Sequence, residues 1–218
     1  MSTTNETQSS AAPLTVEMWG DLQSVWCYIE FGALRTAARE LGDVSLRFRT
    51  YSLFPDQEAR YAGDTDRDEP TLFRAGVANL AAQLGLDYDE ARLLPTGSQC
   101  AHELVQLAAA YGTPVPMADR LFRAHFAEGL DIGDVDTLVE LAAECGLDRD
   151  QVVVALRDGS YAAAVEQDNH LAYLLGAKEV PFAVINRTYT LTGTQTVGTV
   201  RSALLLARRA RRSPGAPP

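Results

Sequence analysis

Apolar and polar residues alternate from Leu14 to Trp19 (Leu-Thr-Val-Glu-Met-Trp), the period of a half-buried strand. Gly20 and Asp21 break that run, and the period then changes. Tyr28, Phe31, Leu34, Ala38 and Leu41 recur at helical spacing, which predicts a helix over about 24–41 with Ser24 as its N-cap. Val44, Leu46, Phe48 and Thr50 share one side of a second alternating stretch and predict a strand over 44–53. Strand, helix, strand in this order points to a βαβ unit with parallel strands.

Residues 54–71 are polar and broken by Pro55, Gly63 and Pro70, and predict a long loop. Helical spacing then takes over, with helices predicted at 72–84, 98–111, 117–128, 135–145, 149–156 and 161–175. Gly85, Gly112, Gly129, Gly146, Gly159 and Gly176 stand at their ends, and Asp148 and Ser160 are candidate N-caps. A strand signal returns at 181–185, an apolar run followed across Asn186-Arg187 by 188–192, the signature of a hairpin. After Gly193-Thr194-Gln195 a last helix is predicted at 199–212. The expected order is βαβ, a helical insertion, then ββα, an α/β fold. In domain terms, 14–53 and 178–212 form one α/β unit and 70–177 a helical insertion, between disordered tails at 1–13 and 213–218. No internal repeat is evident.

At 218 residues and 46% hydrophobic, the chain can bury a sizeable core, and its 22% charged residues are ordinary for a globular domain. A net charge of −10 argues against a nucleic-acid partner. The one basic cluster, Arg208-Arg209 and Arg211-Arg212, suits the C-terminal end of the last helix. Residues 2–13 lack the basic and apolar regions of a secretory signal. No stretch approaches the ~18–20 apolar residues of a membrane span, so no membrane is expected. Cys27, Cys100 and Cys145 are too few and scattered for a disulfide framework, which implies reduced thiols and a cytoplasmic location. Cys100 and Cys145 fall on helical patterns and read as core residues. His102, His125 and His170 lack metal-ligand spacing, so no metal is expected.

Three segments carry a resemblance. Asp21-Leu22-Gln23-Ser24-Val25-Trp26-Cys27-Tyr28 resembles the Asp-x-x-Cys-Pro-Trp-Cys-Tyr site of the FrnE branch of DsbA-like thioredoxin-fold proteins. Ala101-His102-Glu103-Leu104, then Leu121 to Phe126 with Glu128 to Ile132, is similar to that branch's helical insertion. Val180-Pro181, a hairpin and Gly193-Thr194-Gln195 resemble its proline loop and closing strand. The resemblance covers nearly all of 14–206 and implies a thioredoxin fold with a large helical insertion. It also implies a cis Val180-Pro181 bond facing the site.

Two departures alter the expected chemistry. The family's first cysteine is Ser24 here, and its proline is Val25. The first thiolate of a Cys-x-x-Cys pair attacks and the second resolves the mixed disulfide; serine can do neither. In this respect the chain is similar to kappa-class glutathione transferases and 2-hydroxychromene-2-carboxylate isomerases, where a serine in this place hydrogen-bonds the sulfur of bound glutathione. That similarity implies Ser24 as a catalytic residue and glutathione or another low-molecular-weight thiol as cofactor. Cys27 is a second candidate nucleophile, or an inert buried thiol. His125, where the family often has tyrosine, is a candidate for proton transfer, and His102 reads as structural. Asp21, Val25, Trp26, Val180 and Pro181 are expected to line the thiol or substrate site.

The function expected is a thiol-dependent isomerase acting on an unsaturated polyketide-like or aromatic small molecule, free or carrier-bound. Its alternatives are a thiol transferase, a non-catalytic binding or chaperone-like protein, and a residual disulfide oxidoreductase. A homodimer stays open.

Overall fold

The computed structural model describes residues 12–53 and 71–212. Four strands form one sheet in the order β2-β1-β3-β4. β1 (Leu14–Gly20) pairs in parallel with β2 (Val44–Thr50), Leu14 opposite Val44 and Gly20 opposite Thr50. On its other edge β1 runs antiparallel to β3 (Phe182–Ile185), with Val16 opposite Ile185 and Trp19 opposite Phe182. β4 (Tyr189–Thr192) returns antiparallel to β3 through a turn in which Asn186 and Arg187 both have positive φ, 49° and 59°. Two consecutive left-handed residues give the turn the twist that a tight hairpin needs. The expected alternation along β1 and β2 and the expected hairpin are all present.

α1 (Val25–Leu41) joins β1 to β2. Ser24 caps it in an extended conformation, its Oγ accepting the Cys27 N–H at 3.3 Å, and Gly42 at φ 77° ends it. Between β2 and β3 come α2 (Thr71–Gln83), α3 (Gln99–Ala110), α4 (Pro114–Arg123), α5 (Val135–Glu144), α6 (Arg149–Arg157) and α7 (Ala162–Leu174). α8 (Val197–Arg212) follows β4. The six glycines expected to end helices all have positive φ. No described helix is long and apolar enough to cross a membrane.

The largest apolar cluster is continuous from the sheet into the inserted helices. Leu14, Val16 and Met18 of β1 and Tyr28, Phe31 and Leu34 of α1 belong to the same buried set as Leu104, Phe122, Phe126 and Leu138. Tyr28 stacks on Phe126 at 5.1 Å and 9°, and Phe31 meets Phe48 edge-on at 5.5 Å. Each such side chain, fully buried, contributes roughly 1.5–3 kcal/mol. The opposite sheet face buries Trp19, Phe182 and Val184 against Ala172 and Ala177.

A buried carboxylate locks α7 to the edge of β2. Asp168 Oδ1 accepts Arg49 Nη1 at 2.8 Å. Its Oδ2 accepts the Thr50 N–H at 3.1 Å, the Thr50 hydroxyl at 3.3 Å and Gln106 Nε2 at 2.7 Å. The neighbouring Asn169 Oδ1 takes the Ser52 N–H at 3.0 Å, and the Asp168 carbonyl takes the Trp19 indole N–H at 3.0 Å. This explains one difference from the sequence expectation. β2 stops at Thr50 rather than 53 because the amides of Ser52 and Leu53 bond to side chains, those of Asn169 and Asp21, and not to a neighbouring strand.

Other boundaries differ for local reasons. α4 begins at Pro114, three residues early, since proline in a first turn loses no helical hydrogen bond. Its expected tail is a π-helical turn, Ala124–Glu128, closed by Gly129 at φ 69°. Ser160 is not an N-cap. Its N–H bonds the Ala155 carbonyl at the end of α6, and Tyr161 takes the cap position of α7 without a side-chain bond. Asp148 does cap α6, accepting the Gln151 N–H at 3.0 Å. Cys100 and Cys145 are half-buried at the margin of the core rather than inside it. The loop expected at 54–71 lies outside the described residues up to Thr71, where α2 begins; most of both expected tails also lies outside them.

Candidate functional site

β1 ends at Gly20, and the chain turns through Asp21–Ser24 into α1. The Ser24 N–H bonds the Asp21 carbonyl at 3.1 Å, and Asp21 Oδ1 accepts the Gln23 N–H at 2.9 Å, so the turn is fastened twice. Ser24, Val25 and Trp26 are half-buried and form the outward part of α1's first turn. That turn holds no acidic residue, so the partial positive charge of the helix N-terminus is not offset by its own side chains.

Cys27 points the other way and is wholly buried. A Cβ on Gly20 would lie 3.2 Å from the Cys27 Cβ and 3.3 Å from its Sγ; the absence of a side chain at Gly20 is what lets the thiol tuck against β1. Burial pushes the Cys27 thiol up to about 12; the Ser24 hydroxyl and the Asp21 backbone pull against this, and the carboxyls of Asp21 and Glu30 add to it. A thiol in this state is a poor nucleophile at neutral pH.

Asp21, expected to contact ligand, is buried with both oxygens engaged inside the protein. Besides the Gln23 N–H, it accepts the Leu53 N–H on Oδ2 at 2.8 Å, and His102 Nε2 lies 3.4 Å from Oδ1. Burial pushes its carboxyl up, but His102 and these two amides together hold it below the ordinary value. Asp21 therefore shapes the turn that carries Ser24, and His102 supports it from α3. His125 lies on the π-helical turn, buried, its ring edge-on to Phe126 at 4.6 Å. Burial pushes its imidazole down to about 4, opposed by the Leu130 backbone and by Asp131 and Asp21. It is uncharged at neutral pH. Asp21 thus acts electrostatically on both Cys27 and His125.

The Val180-Pro181 bond is cis. Trp19 pairs with Phe182, so Pro181 lies alongside Gly20, at the end of β1 from which the Ser24 turn departs. Val180 is half-buried and Pro181 buried. The loop after β4 ties these two walls together. The Gly193 N–H bonds the Pro181 carbonyl at 2.8 Å, the Thr194 hydroxyl bonds the Trp26 carbonyl at 3.3 Å, and the Gln195 N–H bonds Glu30 Oε2 at 2.6 Å. Glu30, one turn beyond Cys27, is buried, and among the described residues its Oε1 has no hydrogen-bond partner. Burial pushes its carboxyl up to about 8, with the Gln195 N–H pulling it back. Sequence reading missed Glu30. Its signal was an acid on the stripe Cys27, Glu30, Phe31, Leu34, which the helix buries. Among the described residues no cluster of His, Cys, Asp and Glu could hold a metal ion.

A profile of the DsbA-like thioredoxin domain matches residues 15–205. The chain belongs to that family. Among solved structures, this DsbA-like chain is similar to a probable DsbA oxidoreductase from Streptomyces coelicolor, with 27% identity, a TM-score of 0.76, and 94% of this chain and 92% of that one covered. A 2-hydroxychromene-2-carboxylate isomerase shares its fold at 17% identity and a TM-score of 0.70, over 91% and 99% of the two chains. The cytosolic disulfide reductase DsbM from Pseudomonas aeruginosa, solved with GSH, shares it at 20% identity and a TM-score of 0.68, over 89% and 99%.

Proposed function

We propose that this DsbA-like chain is a thiol-dependent isomerase that uses an external thiol, glutathione or an equivalent, as its nucleophile. The carrying observation is the division of labour in α1's first turn. Half-buried Ser24, which the motif resemblance matches to the outer thiol of a redox pair, offers a hydroxyl at the helix start, and the matching inner thiol, Cys27, is buried and pushed up to about 12. Ser24 Oγ accepts the Cys27 N–H, which leaves its own proton to donate to a sulfur anion. The helix N-terminus favours the same anion. A thiolate held there adds to the β-carbon of a conjugated carbonyl, forming a C–S bond and moving the π electrons to the carbonyl oxygen. Rotation about the new single bond follows. The electrons then return, the C–S bond breaks and the thiolate leaves, with no net redox change.

Ser24 is the catalytic residue of this scheme, with Val25, Trp26, Val180 and Pro181 as the walls that orient thiol and substrate. His125, uncharged and close to Asp21, is the candidate for moving the enol proton. The fold shared with a 2-hydroxychromene-2-carboxylate isomerase and with a disulfide reductase solved with GSH supports the scheme. The FrnE-like motif extends it to an unsaturated polyketide-like substrate. Three free cysteines and the cytosolic relative favour a cytoplasmic setting.

The test is turnover of a conjugated carbonyl probe such as maleylacetone with and without glutathione, read by mass and by geometry. Isomerisation at unchanged mass that requires glutathione is expected. Ser24→Ala should slow it roughly 10- to 100-fold, since a hydrogen bond to a charged group is worth ~1.5–3 kcal/mol. A stable glutathione adduct as product would make the chain a transferase instead. Turnover without added thiol, abolished by Cys27→Ser, would return the nucleophile to Cys27.

A further inference from the structure

The loop after β4 bridges Pro181 and the start of α1, and three hydrogen bonds hold it there: to Pro181, to the first turn of α1, and to Glu30 in its second turn. Two of the three involve only neutral groups. The third ends on a carboxyl, and that carboxyl is unusually placed. Glu30 is 1% exposed, and among the described residues it receives a single N–H on Oε2 and its Oε1 meets no partner.

We infer that Glu30 is a positioning residue, whose proton governs how firmly the 193–195 loop ties the Pro181 wall to the first turns of α1. Protonated, the carboxyl sits neutral in an apolar setting and accepts an ordinary hydrogen bond from Gln195. Ionised, it makes a stronger bond to that N–H but strands a charge whose second oxygen is unsolvated, and burying such a charge is far more costly than burying the acid. The carboxylate is relieved only if water reaches it, which requires the loop to lift from α1.

Among the described residues the surroundings offer no other relief. Cys27, a turn earlier on α1, is the titratable group that faces Glu30, and Asp21 acts on Cys27 from the turn before α1. From the loop come only Thr194 and Gln195. Among the described residues, cations of the elements packed on α1 pair elsewhere: Arg201 and Arg208 of α8 with Glu40 and Asp43, Arg47 and Arg49 of β2 with Glu17, and Arg35 of α1 itself with Asp119 of α4. The raised carboxyl, near 8, agrees with this setting, and it puts the change in a range that cells and assays visit. That the tied region is a thiol site rests on the function proposed above; the tie itself does not.

The experiment uses the full, ligand-free chain labelled with ¹³C and ¹⁵N and titrated from about pH 6 to 9.5. The Glu30 carboxyl carbon should titrate with a midpoint near 8. The amides of Gly193, Gln195 and Trp26 should shift with the same midpoint, and in Glu30→Gln they should stay flat. A carboxyl midpoint in the ordinary glutamate range would overturn the inference. So would a Glu30 titration that leaves the Gly193 and Gln195 amides unmoved. The wild-type titration decides this even if the variant folds poorly. A calorimetric arm with S-methylglutathione, which has no titrating thiol, separates the two readings. Affinity that changes several-fold across pH 8 in wild type but not in Glu30→Gln supports the positioning role at a thiol site. Absence of binding at every pH overturns the thiol-site reading, and the NMR result still decides the tie.

Discussion

Asp168 and Glu30 are both buried carboxyls that helices bring against the sheet domain, and the fold treats them in opposite ways. Asp168 receives donors from Arg49, the Thr50 amide and hydroxyl, and Gln106, so both oxygens are used. Among the described residues Glu30 receives one amide and has an oxygen left over. The first arrangement makes a fixed joint, fastening α7 and α3 to the edge of β2 far along the chain. The second makes a joint whose strength depends on a proton, and it lies in the tie between Pro181 and the first turns of α1. Burial alone therefore does not tell what a carboxyl does; the number of donors around it does.

The sharpest way to break this contrast is at Asp168. Asp168→Ala removes one half of a buried pair and leaves the Thr50 amide unmatched, so urea unfolding should show a loss of roughly 3–5 kcal/mol. A loss under ~1 kcal/mol would mean that the joint is not structural. The next effect belongs to Glu30. Its carboxyl is raised in the folded chain, so above the ordinary glutamate range the folded state holds a proton that the unfolded state has released. Stability should therefore fall as pH rises, by up to ~1.4 kcal/mol per unit, until the folded carboxyl itself titrates near 8. Between about pH 6 and 8 that is roughly 2–3 kcal/mol, and Glu30→Gln should flatten the curve. The same slope in wild type and variant would assign the dependence to another group. The smallest effect is one of reactivity. Iodoacetamide on the folded chain should label half-buried Cys100 and Cys145 well before Cys27, as read by peptide mass, with Cys27 labelled only on unfolding. Early labelling of Cys27 would show that the first turn of α1 opens.

Much of this architecture was legible in the order of residues. Alternating runs marked β1 and β2, an apolar run and a turn marked the β3–β4 hairpin, and glycines marked helix ends because left-handed backbone suits them. The Ser24 cap and the cis bond at Pro181 were also anticipated, one from helix chemistry and the other from family resemblance. What stayed hidden were polar groups whose partners are distant in sequence. Asp168 looks like a solvent-facing position of an ordinary helix until Arg49 is brought to it, and Glu30, an acid on the buried stripe of α1, shows no partner until Gln195 arrives. Asp21 was expected at the ligand because it stands in the motif; the amide of Leu53 and the ring of His102, which occupy it, come from other elements. The π-helical turn under His125 leaves no local trace, since its composition would also suit an α-helix.

The pairing of β1 sets the timetable on which the chain can fold. One edge of this strand meets β2 soon after synthesis, but the other waits for β3, and Thr15 bonds Asn186 across 171 positions. Until then the emerging chain carries a half-made sheet whose apolar strand, with Met18 and Trp19 unshielded on opposite faces, lies open to other chains. Such long-range closure slows folding compared with a helical protein of the same length, and it concentrates the risk of aggregation in one early window. A truncation that stops before Phe182 should thus yield aggregate even though every inserted helix is present.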